Sequence, residues 1–267
     1  MQRKRWLAVG FVALYGVAMA IQQCVWLLAY GPVAYFRSQV YGLDPVALRL
    51  PSILVVLVAI LDFTAYNLSV LVPAACIVHY VGICDLMVLK GERFRSALQC
   101  CSALGSDGLK AASVRKLQAS YSALLEAVQY LDERLRSAIF FWYVDTVLNI
   151  VVSVRSVQHT LAHFNPYAAA GAYVHGAYLV TAFLLVSLSA ANLVAQRRHI
   201  YRDMCRLVCG IGADDDNLCN QVMLLQEDIS NGELAFTGWN CFVIDRPFIL
   251  SVTGAVITYA VVLQQLT

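Results

Sequence analysis

The chain has 267 residues, 60% of them hydrophobic and 13% charged, with a formal net charge of +2. A soluble domain is nearer half apolar and a quarter charged, so lipid is the expected solvent. There is no strongly basic domain, which argues against nucleic acid as a partner.

A helix needs about 20 apolar residues to cross the hydrocarbon, and an open sheet could not satisfy its backbone there. The expected fold is therefore all-α, one polytopic transmembrane helical bundle over 1–267. Five crossings are expected, at 6–30, 52–80, 137–154, 172–195 and 247–266. The first begins after Arg3, Lys4 and Arg5, and Ala18, Met19 and Ala20 give it the look of a cleavable signal peptide. The apolar run continues through Cys24, Val25, Trp26, Leu27 and Leu28, which is long for a signal, so an uncleaved span is expected. A short outer loop at 31–51 follows, with Pro32, Pro45 and Pro51. The second span carries Pro73, a site for a kink. The third is the shortest and is interrupted by Asp145.

Two long inner segments, 81–136 and 196–246, separate these spans. In the first, Leu117, Tyr121, Leu124, Leu125, Val128, Leu131 and Leu135 recur three and four apart and mark one helical face. That helix is expected to run on into the third span. Its apolar face either lies on the membrane or packs on neighbouring helices or subunits. The second segment opens on a basic cluster. It continues through Asp214, Asp215 and Asp216, which read as a solvated turn because they lack the spacing and later glutamate of a calcium loop. A short helix follows, with Val222, Leu225 and Ile229 on one stripe.

Orientation follows from the basic residues. With the N-terminus cytoplasmic, the inner side holds 16 Lys and Arg and the outer side only Arg37, Arg49 and Arg155, out of 19. That bias places the C-terminus outside, as an odd number of spans requires.

Nothing in the sequence assembles an enzyme. It contains no nucleophile elbow, phosphate-cradling loop or zinc pattern, and its five histidines are scattered. Its nine cysteines, an odd count placed in or near apolar runs, read as inert thiols, and no metal or cofactor is expected. Polar residues inside spans are more informative, because lipid penalises them and they face the bundle interior or a cavity. Asp62, Tyr66, Asn149, Arg155, His175 and Tyr178 fall toward the outer half. They either line a pocket for a small ligand or pair with one another; Asp62 or Asp145 with Arg155 is one such pair.

The last helix starts with Asp245 placed to cap it and Pro247 in its first turn. Thr258, Val262 and Gln265 share a stripe on it. In a ring of such helices an apolar girdle could gate by dewetting and an amide girdle could coordinate ions or water. Ordinary helix packing, with glutamine at the contact, is the other reading.

The run Thr258-Tyr259-Ala260-Val261-Val262-Leu263-Gln264-Gln265-Leu266 resembles the threonine–tyrosine, five apolar residues, glutamine–phenylalanine signature that ends insect gustatory receptors. Gly238, Phe242, Asp245 and Arg246 also sit where that family has a glycine, an aromatic and an acid–base pair. The resemblance covers about the last 35 residues by motif and the rest by topology. Gln264 departs from an apolar position and Leu266 from phenylalanine; the odorant co-receptor of the same superfamily is similar here and also has leucine. The resemblance implies seven spans with the N-terminus inside, of which this chain, with five expected, is expected to lack the first two. It also implies a ligand-gated cation channel in the plasma membrane, tetrameric, opened by a small-molecule tastant. Val262 would be the apolar gate and Gln265 the amide one turn further out, with Thr258 and Tyr259 beside them. An odorant-type receptor or a non-conducting modifier subunit is the alternative. A transporter or a G-protein-coupled receptor is more remote, since the latter places its N-terminus outside, against the charge bias.

Overall fold

The computed structural model describes residues 52–103, 111–162, 166–210 and 216–266, with positions 9, 10, 12, 14–18 and 21 near the N-terminus; at some of these only the backbone is described. The crossing expected at 6–30 is thus described only in part. The outer loop at 31–51 lies outside the described residues, as do Asp214, Asp215 and the side chains of Asp62, Tyr66 and Gln264.

Five helices and a small ribbon follow in chain order: α1 (Ser52–Ala103), α2 (Ala111–Ala162), α3 (Pro166–Gly210), α4 (Asp216–Asn231), β1 (Thr237–Gly238), β2 (Phe242–Val243) and α5 (Arg246–Leu266). The chain forms two compact units, Met1–Tyr80 and Val81–Thr267. In the first, Val12 and Tyr15 are buried, and a Cβ added at Gly16 would stand in ordinary contact with Leu71 and Ala74.

The main departure from expectation is the length of the helices. Residues 81–103 continue the second span as α1 without a break, although they carry Lys90, Glu92, Arg93 and Arg95. The reason is periodic: Cys84, Met87, Phe94 and Leu98 are buried, and buried Gly91 completes their three-and-four spacing. Charged residues occupy the other faces. At 52 residues and 1.5 Å per residue, α1 and α2 are each about 78 Å long, against a hydrocarbon core of about 30 Å. Pro73 is accommodated within α1.

The face marked at 117–135 packs on other helices. Val114, Leu117, Tyr121, Leu124 and Val128 are buried on α2, and the stripe continues through Ile139, Tyr143, Thr146, Ile150 and Ser153 into the expected crossing. α2 lies against α3, α4, α5 and β1, and α3 against α4 and α5. Leu218, Val222, Leu225 and Ile229 of α4 are buried. Apolar stretches long enough to cross a membrane occur in Leu71–Ala103, Ala111–Arg155 and Tyr173–Cys209, with a shorter one in Arg246–Val262. Large apolar side chains remain uncovered on these helices, among them Leu148, Val152, Leu188 and Leu250.

Candidate functional site

The best-built site in the second unit is the approach to α5. It starts on α2, where Asp132 accepts hydrogen bonds from the Thr237 backbone N–H at 2.6 Å and from the Thr237 hydroxyl at 2.8 Å. β1 and β2 then pair antiparallel, Thr237 with Val243 and Gly238 with Phe242. The turn between them is closed by the Cys241 N–H donating to the Gly238 carbonyl at 2.8 Å. Trp239 and Asn240, the two central residues of that turn, both have positive φ, 48° and 58°, and Cys241 completes a three-residue loop between the paired Gly238 and Phe242. Asparagine tolerates this region; tryptophan does so at a cost of about 1–2 kcal/mol. The Trp239 N–H donates to the Arg136 carbonyl at 3.2 Å, which ties the turn to α2.

Gly238 faces the Phe242 ring so closely that a Cβ built there would sit 2.3 Å from its Cζ. The ring is itself stacked on Phe248 with centroids 4.3 Å apart and planes 8° apart. Tyr143 meets Phe242, Phe248 and Phe183 edge-on at 5.8, 5.3 and 5.6 Å, an arrangement suited to aromatic quadrupoles. Its hydroxyl shares a buried 2.8 Å hydrogen bond with Ser187 of α3. One aromatic cluster thus joins α2, α3, the ribbon and the first turn of α5. Asp245 caps that turn: its Oδ1 accepts the Phe248 N–H at 2.9 Å, while Arg246 begins the helix exposed.

Beyond this start α5 is largely uncovered by its own chain. Ile257, Tyr259, Val261 and Val262 are exposed, as are Thr258 and Gln265. Thr258 donates its hydroxyl to the Gly254 carbonyl at 2.9 Å. The four signature residues Gly238, Phe242, Asp245 and Arg246 therefore build the approach, and Thr258, Tyr259, Val262 and Gln265 lie along the exposed helix.

The expected ligand residues of the second unit have partners of their own among the described residues. Asn149 donates to the Asp145 carbonyl at 2.9 Å and to Asp145 Oδ1 at 3.0 Å, so the side-chain partner of Asp145 is Asn149 rather than Arg155. His175 and Tyr178 are ring neighbours on α3 with centroids 6.3 Å apart. Asp62 and Tyr66 belong to the other unit. An open groove of about 530 Å³ is lined instead by Ala123, Glu126, Ala127, Gln129, Tyr130 and Glu133 of α2.

A second polar centre ties α1 to α3. Asp203, buried, accepts from Arg95 Nε at 2.6 Å and from Gln99 Nε2 at 2.8 Å, with Arg206 at 3.5 Å. Burial works to raise its pKa, but those hydrogen bonds and the two guanidinium charges outweigh it and hold the carboxyl below its ordinary value. Asp132 and Asp203 escaped sequence reasoning. The available signal was an acid on an apolar stripe: Asp132 lies four after Val128, and Asp203 three after Ile200.

Among the described residues no cluster of histidine, cysteine and acids could hold a metal. No curated protein matches the chain significantly. The fold is similar to that of the insect olfactory receptor OR5 from Machilis hrabei, with TM-score 0.73 and 16% identity over 99% of this chain and 68% of that one. The same receptor in complex with eugenol matches with TM-score 0.71 and 15% identity over the same shares. The family described as 7tm Chemosensory receptor matches residues 2–266, so this multi-pass helical membrane protein belongs to the chemosensory receptor family.

Proposed function

We propose that the chain is a gustatory-receptor-like subunit of a ligand-gated cation channel in the plasma membrane of sensory neurons. Its N-terminus is cytoplasmic and its C-terminus extracellular, and α5 lines the pore of a tetramer. The observation that carries this reading is α5 itself. The helix is capped and clamped at its first turn by Asp245, Phe242 and Phe248, yet its remaining length is apolar and uncovered by the rest of the subunit. Such a helix needs partners, and a ring of four would supply them. Val262 forms the apolar gate and Gln265 the amide girdle. Binding of a small organic tastant shifts the helices toward the open state, to the extent that it prefers that state. The eugenol complex of OR5 supports a small organic molecule as the ligand class. The pocket lies among the earlier spans, with Asp62, Tyr66, Asn149, His175 and Tyr178 as its polar candidates.

The test is electrical. Cells expressing the chain, alone and with a chemoreceptor partner subunit, are recorded while tastants are applied. A tastant-dependent cation current altered by Gln265→Ala is expected. A Gln265→Ala channel indistinguishable from wild type would remove α5 from the pore. Absence of current under every pairing would leave a modifier subunit as the better reading.

A further inference from the structure

We infer that the turn at 238–241 is a membrane-interface anchor: Trp239, with Phe141 beside it, seats among phospholipid headgroups at the charged end of the α2 crossing and sets the depth at which α5 begins. The inference rests on the chain being a membrane-spanning receptor, and it does not require that α5 conducts.

Four observations converge on it. Trp239 occupies the left-handed region at φ 48°, where a bulky residue is disfavoured, so the turn holds it there against local preference. The ring is nevertheless not spent on the interior, because Trp239 is 51% exposed. It forms a ridge with Phe140, edge-on at 5.5 Å, and with Phe141 at 5.7 Å, which is itself 58% exposed.

The third observation is its level. The Trp239 N–H bonds the carbonyl of Arg136, the last charged residue before the uncharged run at 137–144 of α2. Trp239 therefore sits where α2 passes from charged to apolar composition, the depth at which tryptophan is enriched in membrane proteins. The fourth is charge. Arg134 and Arg136 directly precede the uncharged run, Arg134 stands over the Tyr130 ring at 5.5 Å, and exposed Arg246 begins α5, interleaved with Asp132, Glu133 and Asp245. A band of charged side chains of both signs next to an apolar crossing belongs at the level of the phospholipid headgroups. Because β2 leads directly to the Asp245 cap, the position of the turn is passed on to the first turn of α5.

The test uses the full chain in nanodiscs of phosphatidylcholine and phosphatidylserine. Trp6, Trp26 and Trp142 are replaced by Phe, leaving Trp239 as the sole indole. Lipids carrying a doxyl quencher near the headgroup should quench it roughly twofold more than lipids carrying it near the methyl end. Stronger quenching by the deep probe would overturn the inference. So would an indole untouched by either probe, whether open to acrylamide, which places it in water, or shielded from it, which places it under a second copy. Because three substitutions can disturb folding, the unsubstituted protein is also photolabelled with a phospholipid bearing a carbene precursor in its headgroup. Label on the peptide containing Trp239 is expected, and label on other peptides alone overturns the anchor. A protein that answers tastants while Trp239 stays unquenched loses the anchor and keeps the receptor reading. A quenched Trp239 without current does the reverse.

Discussion

Asp132 on α2 accepts both the backbone N–H and the hydroxyl of Thr237, 105 residues away, at 2.6 and 2.8 Å. This one carboxylate satisfies both donors at the point where the chain passes from α4 to the ribbon and α5. Replacing Asp132 by Ala should destabilise the protein by about 1–3 kcal/mol, because both Thr237 donors lose their acceptor. Thr237→Val removes only the hydroxyl and should cost about 1 kcal/mol. Thermal unfolding in detergent measures both, and in the double variant the losses should fall short of their sum, since the residues share a bond. Strictly additive losses would show that the contact contributes nothing.

Gly238 is required by the Phe242 ring more than by any turn rule. Gly238→Ala drives a methyl to within 2.3 Å of a ring that is itself stacked on Phe248. A stability loss of about 1–3 kcal/mol is expected. Shrinking the obstacle in Gly238→Ala/Phe242→Leu should recover part of that loss, relative to the loss caused by Phe242→Leu alone. Failure of the second substitution to help would place the strain elsewhere.

The Asp203 centre should make the protein acid-sensitive. Its carboxyl is held below the ordinary value of 3.8, so its contribution to stability is complete above about that pH and is lost as the pH falls through the lowered value. Asp203→Asn should therefore be less stable than wild type at neutral pH, with the gap closing only below about pH 4. Arg95→Ala leaves the buried carboxylate with fewer partners and should cost about 2–4 kcal/mol. Unfolding midpoints measured across pH would refute the assignment if the gap closed near neutrality.

Asp245 stabilises the start of α5 through the Phe248 N–H. Asp245→Ala should cost about 1 kcal/mol, and Asp245→Asn about half of that or less, because an amide oxygen still caps. If α5 lines the pore, the alanine variant should also shift the tastant dose–response curve more than the asparagine variant does. Equal effects on stability and on the dose–response curve would mean that charge rather than capping matters.

Much of the architecture was legible because membrane helices announce themselves locally. An uninterrupted apolar run, a basic flank or a capping acid before a proline each depends on neighbours a few residues apart. Asp245 and Pro247 are of this kind, and so is the stripe from Leu117 to Leu135. The continuation of α1 through 81–103 was harder to see, because charge on the exposed faces masks the buried spacing of Cys84, Met87, Phe94 and Leu98.

The partners Asp132 with Thr237, Arg95 with Asp203, and Tyr143 with Ser187 are a different matter. Each joins residues far apart in the chain, and each depends on the rotation and axial register of one helix against another. Periodicity says which face is buried but not which residue of the neighbour it meets. The sequence by itself determined that the chain is a bundle of membrane helices ending in a capped apolar one, and its closing signature pointed to the chemoreceptors. Only the tertiary structure decided that this last helix is clamped to α2 and α3 through Phe242, Phe248 and Tyr143, because such contacts exist only once the helices have settled their register.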